Sequence, residues 1–272
     1  RIAFAQAMDA LRRGFDTINV ATCGNYGVAM ALAAKFAGLH SRIFIPQGYH
    51  TRRIQEIIEL GAGIIRVEGD YERAVEVSSD DAHQHEYYDA NPGGENMISQ
   101  LQAYGQIAYE IYDELRDAPA AVAVPVSNGT TLAGIYKGFM SLYRRGKTSR
   151  MPRMVAGSSY RKNPIVQAFR NNTLSCEDLN PSQIRETRIN EPLINWHSID
   201  GDHALDAIRQ TNGWAVDASD RAMRDYRRLI QEKEGIGALP ASSAGLIALM
   251  DRHRREVLPN DRYVVVLTGR KS

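Results

Sequence analysis

The chain has 272 residues, of which 43% are hydrophobic and 24% charged, and its formal charge is +1. These values suit a soluble globular protein of one large domain or two compact lobes, and they give no electrostatic reason to expect a nucleic-acid partner. The longest apolar stretch, Tyr26 to Phe36, is too short for a membrane span and no signal segment opens the chain, while Cys23 and Cys176 offer neither a metal spacing nor a disulfide framework. The expectation is a cytoplasmic protein acting on a small molecule, with no metal, no membrane and no nucleic acid.

In chain order, Arg1 opens a helix-favouring apolar pattern that runs to Arg13 without an initiator methionine. Short β-rich runs then alternate with amphipathic segments, the signature of βαβ units. The expected strands are Thr17–Ala21, Arg42–Pro46, Gly63–Val67, Ala121–Val126, Arg153–Gly157, Trp214–Asp217 and Tyr263–Leu267. Expected helices begin near Tyr26 and cover Thr51–Leu60, Tyr71–Gln84, Ile98–Arg116, Leu132–Arg145, Asp202–Thr211, Ser219–Glu234 and Ala241–Val257. Asp217 and Ser219 are candidate caps for the helix that follows them, and Gly61 closes the one before it. The turn-rich run Asp89-Ala90-Asn91-Pro92-Gly93-Gly94 places a lobe boundary near residue 90, and residues 171 to 197 read as a long irregular segment. The fold class that follows is α/β, two-lobed, with open, mostly parallel sheets flanked by helices; residues 1–90 form a smaller lobe and 91–272 a larger one.

In such folds ligands bind beyond the carboxyl ends of the strands, so the loops that follow strands carry the functional candidates. Thr22-Cys23-Gly24-Asn25-Tyr26 joins a strand to a helix, where unpaired N–H groups and the helix dipole favour a carboxylate or phosphate. A tight turn with glycines chosen for sterics is the competing reading. Ser127-Asn128-Gly129-Thr130-Thr131 repeats the arrangement with four hydroxyl or amide side chains, a phosphate cradle without lysine, or a simple capped helix. Neither a dinucleotide fingerprint nor a Walker A pattern is present. The last β-rich run, with the clearest buried-strand pattern of the chain, delivers Thr268-Gly269.

Together these loops resemble the pyridoxal-phosphate enzymes of the tryptophan-synthase β-subunit fold type (fold type II), in their threonine-synthase-like branch. Ala21-Thr22-Cys23-Gly24-Asn25-Tyr26-Gly27 is similar to the family's Ser/Thr-Ser-Gly-Asn-x-Gly loop, and Val124-Pro125-Val126-Ser127-Asn128-Gly129-Thr130-Thr131-Leu132 to its phosphate loop. Pro240-Ala241-Ser242-Ser243-Ala244 followed by Val265-Val266-Leu267-Thr268-Gly269 resembles the closing pattern. The resemblance implies a pyridoxal 5′-phosphate cofactor, with Asn25 at its 3′ oxygen, Ser127, Asn128, Gly129, Thr130 and Thr131 at its phosphate, and Thr268 facing the pyridine nitrogen. It implies that the backbone of Thr22, Cys23, Gly24, Asn25 and Tyr26 receives the substrate α-carboxylate. A hydroxyl at the pyridine nitrogen makes a weaker electron sink than a carboxylic acid, which suits elimination or replacement at the β or γ carbon of a small amino acid. The family also implies a possible homodimer.

The family's Schiff-base lysine stands just before a segment similar to Arg1-Ile2-Ala3-Phe4-Ala5, so it is expected two positions upstream of Arg1. None of Lys35, Lys137, Lys147, Lys162, Lys233 and Lys271 has a matching context. The alternative is a lysine-free homologue that keeps the fold as a binding or regulatory protein. Two stretches depart from threonine synthase: Gly105-Gln106-Ile107-Ala108 replaces Gly-Gln-Lys-Thr, and Asn190-Glu191-Pro192 replaces Gly-Asn-Pro. Isoleucine in place of a cation and Glu191 in place of an amide make O-phosphohomoserine an expected poor substrate, because a carboxylate repels a phosphate dianion. Glu191 is a candidate for recognising a cationic or hydroxyl-bearing side chain or for acid–base chemistry near the leaving group; a solvated loop glutamate is the bland reading.

Overall fold

A computed structural model describes residues 1–22, 24–49 and 53–269, apart from the side chain of Glu191. Two compact units emerge, residues 1–103 and 104–272.

The first unit begins with helix α1 (Ile2–Arg12), then runs β1 (Thr17–Ala21), α2 (Asn25–Ala37), β2 (His40–Pro46), α3 (Arg53–Glu59), β3 (Gly63–Val67), α4 (Tyr71–Gln84) and β4 (Tyr88–Asp89). All pairings are parallel, in the order β3-β2-β1-β4. Strand alternation sorts the side chains by face. Ile18, Val20, Ile43 and Ile45 join the cluster under α1 and α2, whereas Ala21 and Phe44 pack with Ala74 of α4. Asn19, fully buried on the α4 side, is kept there by hydrogen bonds from its amide to the Ser78 carbonyl and to Asp81, which also pairs with Arg42. Those bonds engage the amide nitrogen, as burial of a polar group requires, while Oδ1 has no partner among the described residues.

Helix α5 (Met97–Leu115) spans the division between the units. The turn at Asp89–Gly94 therefore lies inside the first unit rather than at its edge, and the contacts show why. The Asn91 side chain accepts from the Ala21 N–H at 2.7 Å and donates to Ser78, while Asn96 donates to the Asp89 carbonyl, so the turn is fastened to the sheet.

The second unit continues with β5 (Ala121–Pro125), α6 (Thr130–Arg144), β6 (Arg153–Ser159), α7 (Pro164–Asn171), α8 (Gly201–Gln210), β7 (Trp214–Ala218), α9 (Asp220–Glu234), α10 (Ala244–Arg255) and β8 (Tyr263–Val265). Its parallel sheet runs β7-β6-β5-β8, the topology of the first sheet repeated. Val122, Val124, Met154 and Ala156 face α6, α7 and α8, and Ala121, Ala123 and Val155 face α10. The crossing of α5 and α6 is close: a Cβ on Gly138 would lie 2.4 Å from the Gly105 carbonyl oxygen.

The structure adds α7 and the two-residue β4 to the elements expected from sequence. It shortens the last strand to three half-buried residues, because β8 lies at the sheet edge and, among the described residues, pairs only with β5. Ser219 caps α9 through its bond from the Ala222 N–H, while Asp217 instead pairs with Arg170 and accepts from the Arg161 N–H. Residues 172–200 stay largely irregular, with 3-10 turns at Pro181–Gln183 and Glu191–Leu193. No helix among the described residues is long and apolar enough to cross a membrane.

Candidate cofactor and substrate site

In each sheet the first strand is flanked by the second on one side and the fourth on the other. The chain reverses direction across the sheet there, and the loop leaving the first strand opens at that switch point. The loop after β1 is Thr22–Gly24, and the loop after β5 is Ser127–Gly129, so both candidate loops occupy equivalent topological places.

In the first unit, the Thr22 N–H is spent on the Phe44 carbonyl as the sheet ladder ends, and the Gly24 N–H bonds the Thr22 hydroxyl at 3.3 Å. Asn25 begins α2, and its side chain is exposed. The first N–H groups of a helix have no carbonyl within the helix to accept them. The Tyr26 hydroxyl bonds the Ala90 carbonyl at 3.1 Å and fastens the helix start to the end of β4. Gly27 is needed for packing, since a Cβ there would come within 3.0 Å of Thr22 Cγ2 and 3.2 Å of Ile57 Cδ1. Among the described residues, nothing lies within 4 Å of a Cβ built on Gly24. Cys23 lies outside the described residues.

In the second unit, the loop after β5 is set by a chain of buried amides absent from the sequence-based expectation. Asn163 caps α7, its Oδ1 accepting from the N–H groups of Ile165 and Val166. Its amide donates to the Ser127 carbonyl at 2.9 Å and to Asn195 Oδ1 at 3.0 Å. The Asn195 amide in turn donates to Asn128 Oδ1 at 3.0 Å, and the Ser198 hydroxyl donates to the Ser127 carbonyl at 3.1 Å. Such fully engaged networks hold a loop rigid.

Gly129 caps α6 with φ of +93°, and a Cβ there would sit 2.8 Å from Ala204 Cβ and 2.9 Å from the Asp200 carbonyl oxygen. One of the expected phosphate-binding hydroxyls already has a partner. Thr130 donates to the buried carboxylate of Asp200. The side chains of this loop that stay half-buried are those of Ser127, Asn128 and Thr131, and the N–H groups of the first turn of α6 follow them in the chain. Burial pushes the Asp200 carboxyl up from its ordinary range, with the Thr130 bond opposing it.

Thr268 is exposed just beyond β8, the neighbour of β5. Its position is fixed through Gly269, whose N–H donates to the Ser242 hydroxyl at 2.8 Å and whose carbonyl accepts from the Leu239 N–H at 3.0 Å. Glu191 begins the 3-10 turn at Glu191–Leu193; its side chain lies outside the described part. That turn is anchored by Asn190, which donates to Asp220, and by the Ser158 hydroxyl, shared between the carbonyls of Val126 and Leu193. Ile107 packs against the core of the second unit, so the position that departs from Gly-Gln-Lys-Thr is an apolar packing position. Among the described residues no group of three His, Cys, Asp or Glu side chains is placed to hold a metal.

The chain is 27% identical over 259 residues to a threonine synthase of Methanocaldococcus jannaschii, covering 94% of this chain and 62% of that protein. It is also 27% identical over 269 residues to a threonine synthase of Synechocystis, covering 98% of this chain and 65% of that protein. The chain thus spans somewhat under two thirds of the length of these relatives. In fold it is similar to maize serine racemase, with a TM-score of 0.78 at 17% identity over 100% of this chain and 80% of that one. It is likewise similar to threonine deaminase isoform 2 from Solanum lycopersicum, with a TM-score of 0.80 at 14% identity over 100% of this chain and 75% of that one. The model of one family, described as pyridoxal-phosphate dependent enzyme, matches residues 1–269. The chain belongs to the family of pyridoxal-phosphate-dependent enzymes of fold type II.

Proposed function

We propose that this chain carries the cofactor- and substrate-binding parts of an enzyme that eliminates or replaces a group at the β or γ carbon of a small amino acid, as threonine synthases and ammonia-lyases do. The observation that carries the assignment is the loop Ser127–Thr131, which leaves the switch point of its sheet, has a glycine at φ +93°, and is buttressed from below by Asn163 and Asn195. The residues suit a phosphate monoester. The donors are N–H groups of a helix start and a serine hydroxyl, with no lysine required, and the missing Cβ at Gly129 keeps Ala204 and Asp200 close beneath the loop.

When bound, the cofactor supplies an electron-withdrawing ring that stabilises charge on a substrate carbon. The residues of this chain bind and orient. In this reading the start of α2 takes the substrate carboxylate, Asn25 bonds the ring oxygen, Ser127 and the first turn of α6 hold the phosphate, and Thr268 meets the ring nitrogen as a hydroxyl. A hydroxyl there does not deliver a full proton, so the electron sink is modest and departure of a leaving group is favoured. Glu191 bears on the leaving group, and its carboxylate together with Ile107 disfavours a substrate that brings its own phosphate.

The test is a substrate panel run with the full protein loaded with pyridoxal 5′-phosphate, comparing serine, threonine, their O-acyl derivatives and O-phosphohomoserine. The reading expects 2-oxo acid or replacement product from a substrate without phosphate, and little turnover of O-phosphohomoserine. Efficient threonine formation from O-phosphohomoserine overturns the specificity assignment.

A further inference from the structure

Asp200 is 1% exposed, and one of its carboxylate oxygens, Oδ1, is buried without a hydrogen-bond partner among the described residues. The other, Oδ2, receives the Thr130 hydroxyl; the backbone N–H of Asp200 donates to the Asn128 carbonyl at 3.0 Å, and its carbonyl lies under Gly129. The residue is therefore wrapped around the loop assigned to the cofactor phosphate. A carboxylate in this place has two effects. It places a negative charge beneath a site meant for a phosphate dianion, and it draws the Thr130 proton inward, leaving only lone pairs on that hydroxyl for an incoming anion.

We propose that Asp200 controls the direction of the Thr130 hydroxyl proton and thereby couples phosphate binding at residues 127–131 to a proton held on the Asp200 carboxyl. When the carboxyl takes a proton from solvent, its O–H donates to Thr130 Oγ1, and the Thr130 proton is released to turn toward the phosphate. No bond other than O–H is made or broken, and the charge beneath the loop is removed. The orphaned Oδ1 fits this account, since a buried carboxylate oxygen without a donor disfavours the anion. The groups whose charge reaches Asp200 are Lys137 on α6 and His203 on α8, both favouring the ionised form; the Tyr104 phenol on α5 is held neutral by its own burial, with the Asp200 charge adding to it. From α7, Ile165 brings an apolar side chain to the same loop.

The inference rests on assigning residues 127–131 to the phosphate, and the experiment separates the two. The dissociation constant of pyridoxine 5′-phosphate, which has no aldehyde, is measured with the full protein by calorimetry from about pH 7 to about pH 9, where the phosphate group is a dianion throughout. Asp200→Asn, whose amide donates permanently to Thr130, is measured alongside, so that titration of the ligand ring cancels in the ratio. The ratio of wild-type to variant Kd is expected to climb with pH, by up to about tenfold per pH unit once the free carboxyl is ionised. A ratio that stays constant overturns the proposal while leaving the phosphate assignment intact; absence of binding at every pH in both proteins overturns both. If the variant does not fold, carboxyl carbon resonances of the wild type decide. The Asp200 titration is expected to move to higher pH when the ligand binds, and a titration that does not move refutes the coupling.

Discussion

Gly129 is the most exacting position in the proposed phosphate loop, and Gly129→Ala tests it. An alanine there meets Ala204 Cβ at 2.8 Å, the Asp200 carbonyl oxygen at 2.9 Å and Ile165 Cδ1 at 3.1 Å, and the first two belong to groups that cannot swing away. The φ of +93° adds roughly 1–2 kcal/mol for any residue with a Cβ. Overpacking of a close-fitted site adds about 1–3 kcal/mol, while the stiffer unfolded chain returns up to about 1 kcal/mol. The net loss is therefore about 3 kcal/mol. Urea unfolding followed by tryptophan fluorescence reports it, because both tryptophans, Trp196 and Trp214, lie in the second unit. Gly24→Ala is the control: no described residue lies within 4 Å of a Cβ there and its φ is −127°, so circular dichroism should register a change within about 0.5 kcal/mol. A Gly129→Ala protein with the wild-type unfolding midpoint and undiminished cofactor affinity would refute the argument.

Other expectations follow from the same contacts. Asn195→Ala removes the amide that supports Asn128 and leaves buried partners unpaired, so stability in urea should fall by about 1–3 kcal/mol and the cofactor should dissociate faster, as stopped-flow displacement would show. The Arg150 guanidinium holds the Asp261 carboxyl down at about 2. Because this folded pKa lies below the ordinary 3.8, the pair contributes above that value and its contribution is lost as pH falls toward 2; Asp261→Asn should remove this part of the acid sensitivity seen by circular dichroism. Burial, reinforced by Asp202, pushes the Cys176 thiol up to about 12, so its peptide should be alkylated by iodoacetamide at neutral pH only after denaturant is added. Glu191→Gln should shift the ranking of amino-acid substrates and leave cofactor content unchanged, the latter read from absorbance; unchanged kinetics on the true substrate would remove Glu191 from the site.

Much of the architecture is legible from periodicity alone. Ile18-Asn19-Val20 and Ile43-Phe44-Ile45 are buried on both faces, as strands of a covered parallel sheet must be, and such runs stand out between amphipathic helices. The switch-point loops are legible because each places glycine and small polar residues directly after such a run. What sequence reading misses has a common physical cause, that it depends on tertiary neighbours. Tyr88–Asp89 is a strand only because β1 offers it an edge, and Tyr263–Val265 has a buried composition yet lies half exposed because no strand covers its outer side among the described residues. Helix α7 did carry a local signal, Asn163 before Pro164, the pairing of a capping side chain with proline at the first helical position. Asn195 and Asp200 carried none. They come from a segment without periodicity, and only folding brings them under Ser127–Thr131.

The central claim is that the turn from β5 into α6 holds the cofactor phosphate. A crystal structure of the protein soaked with pyridoxal 5′-phosphate tests it most directly. The account predicts phosphate oxygens within hydrogen-bonding distance of the Ser127 hydroxyl and the N–H groups at the start of α6. A phosphate seated elsewhere, with this loop empty, would contradict it.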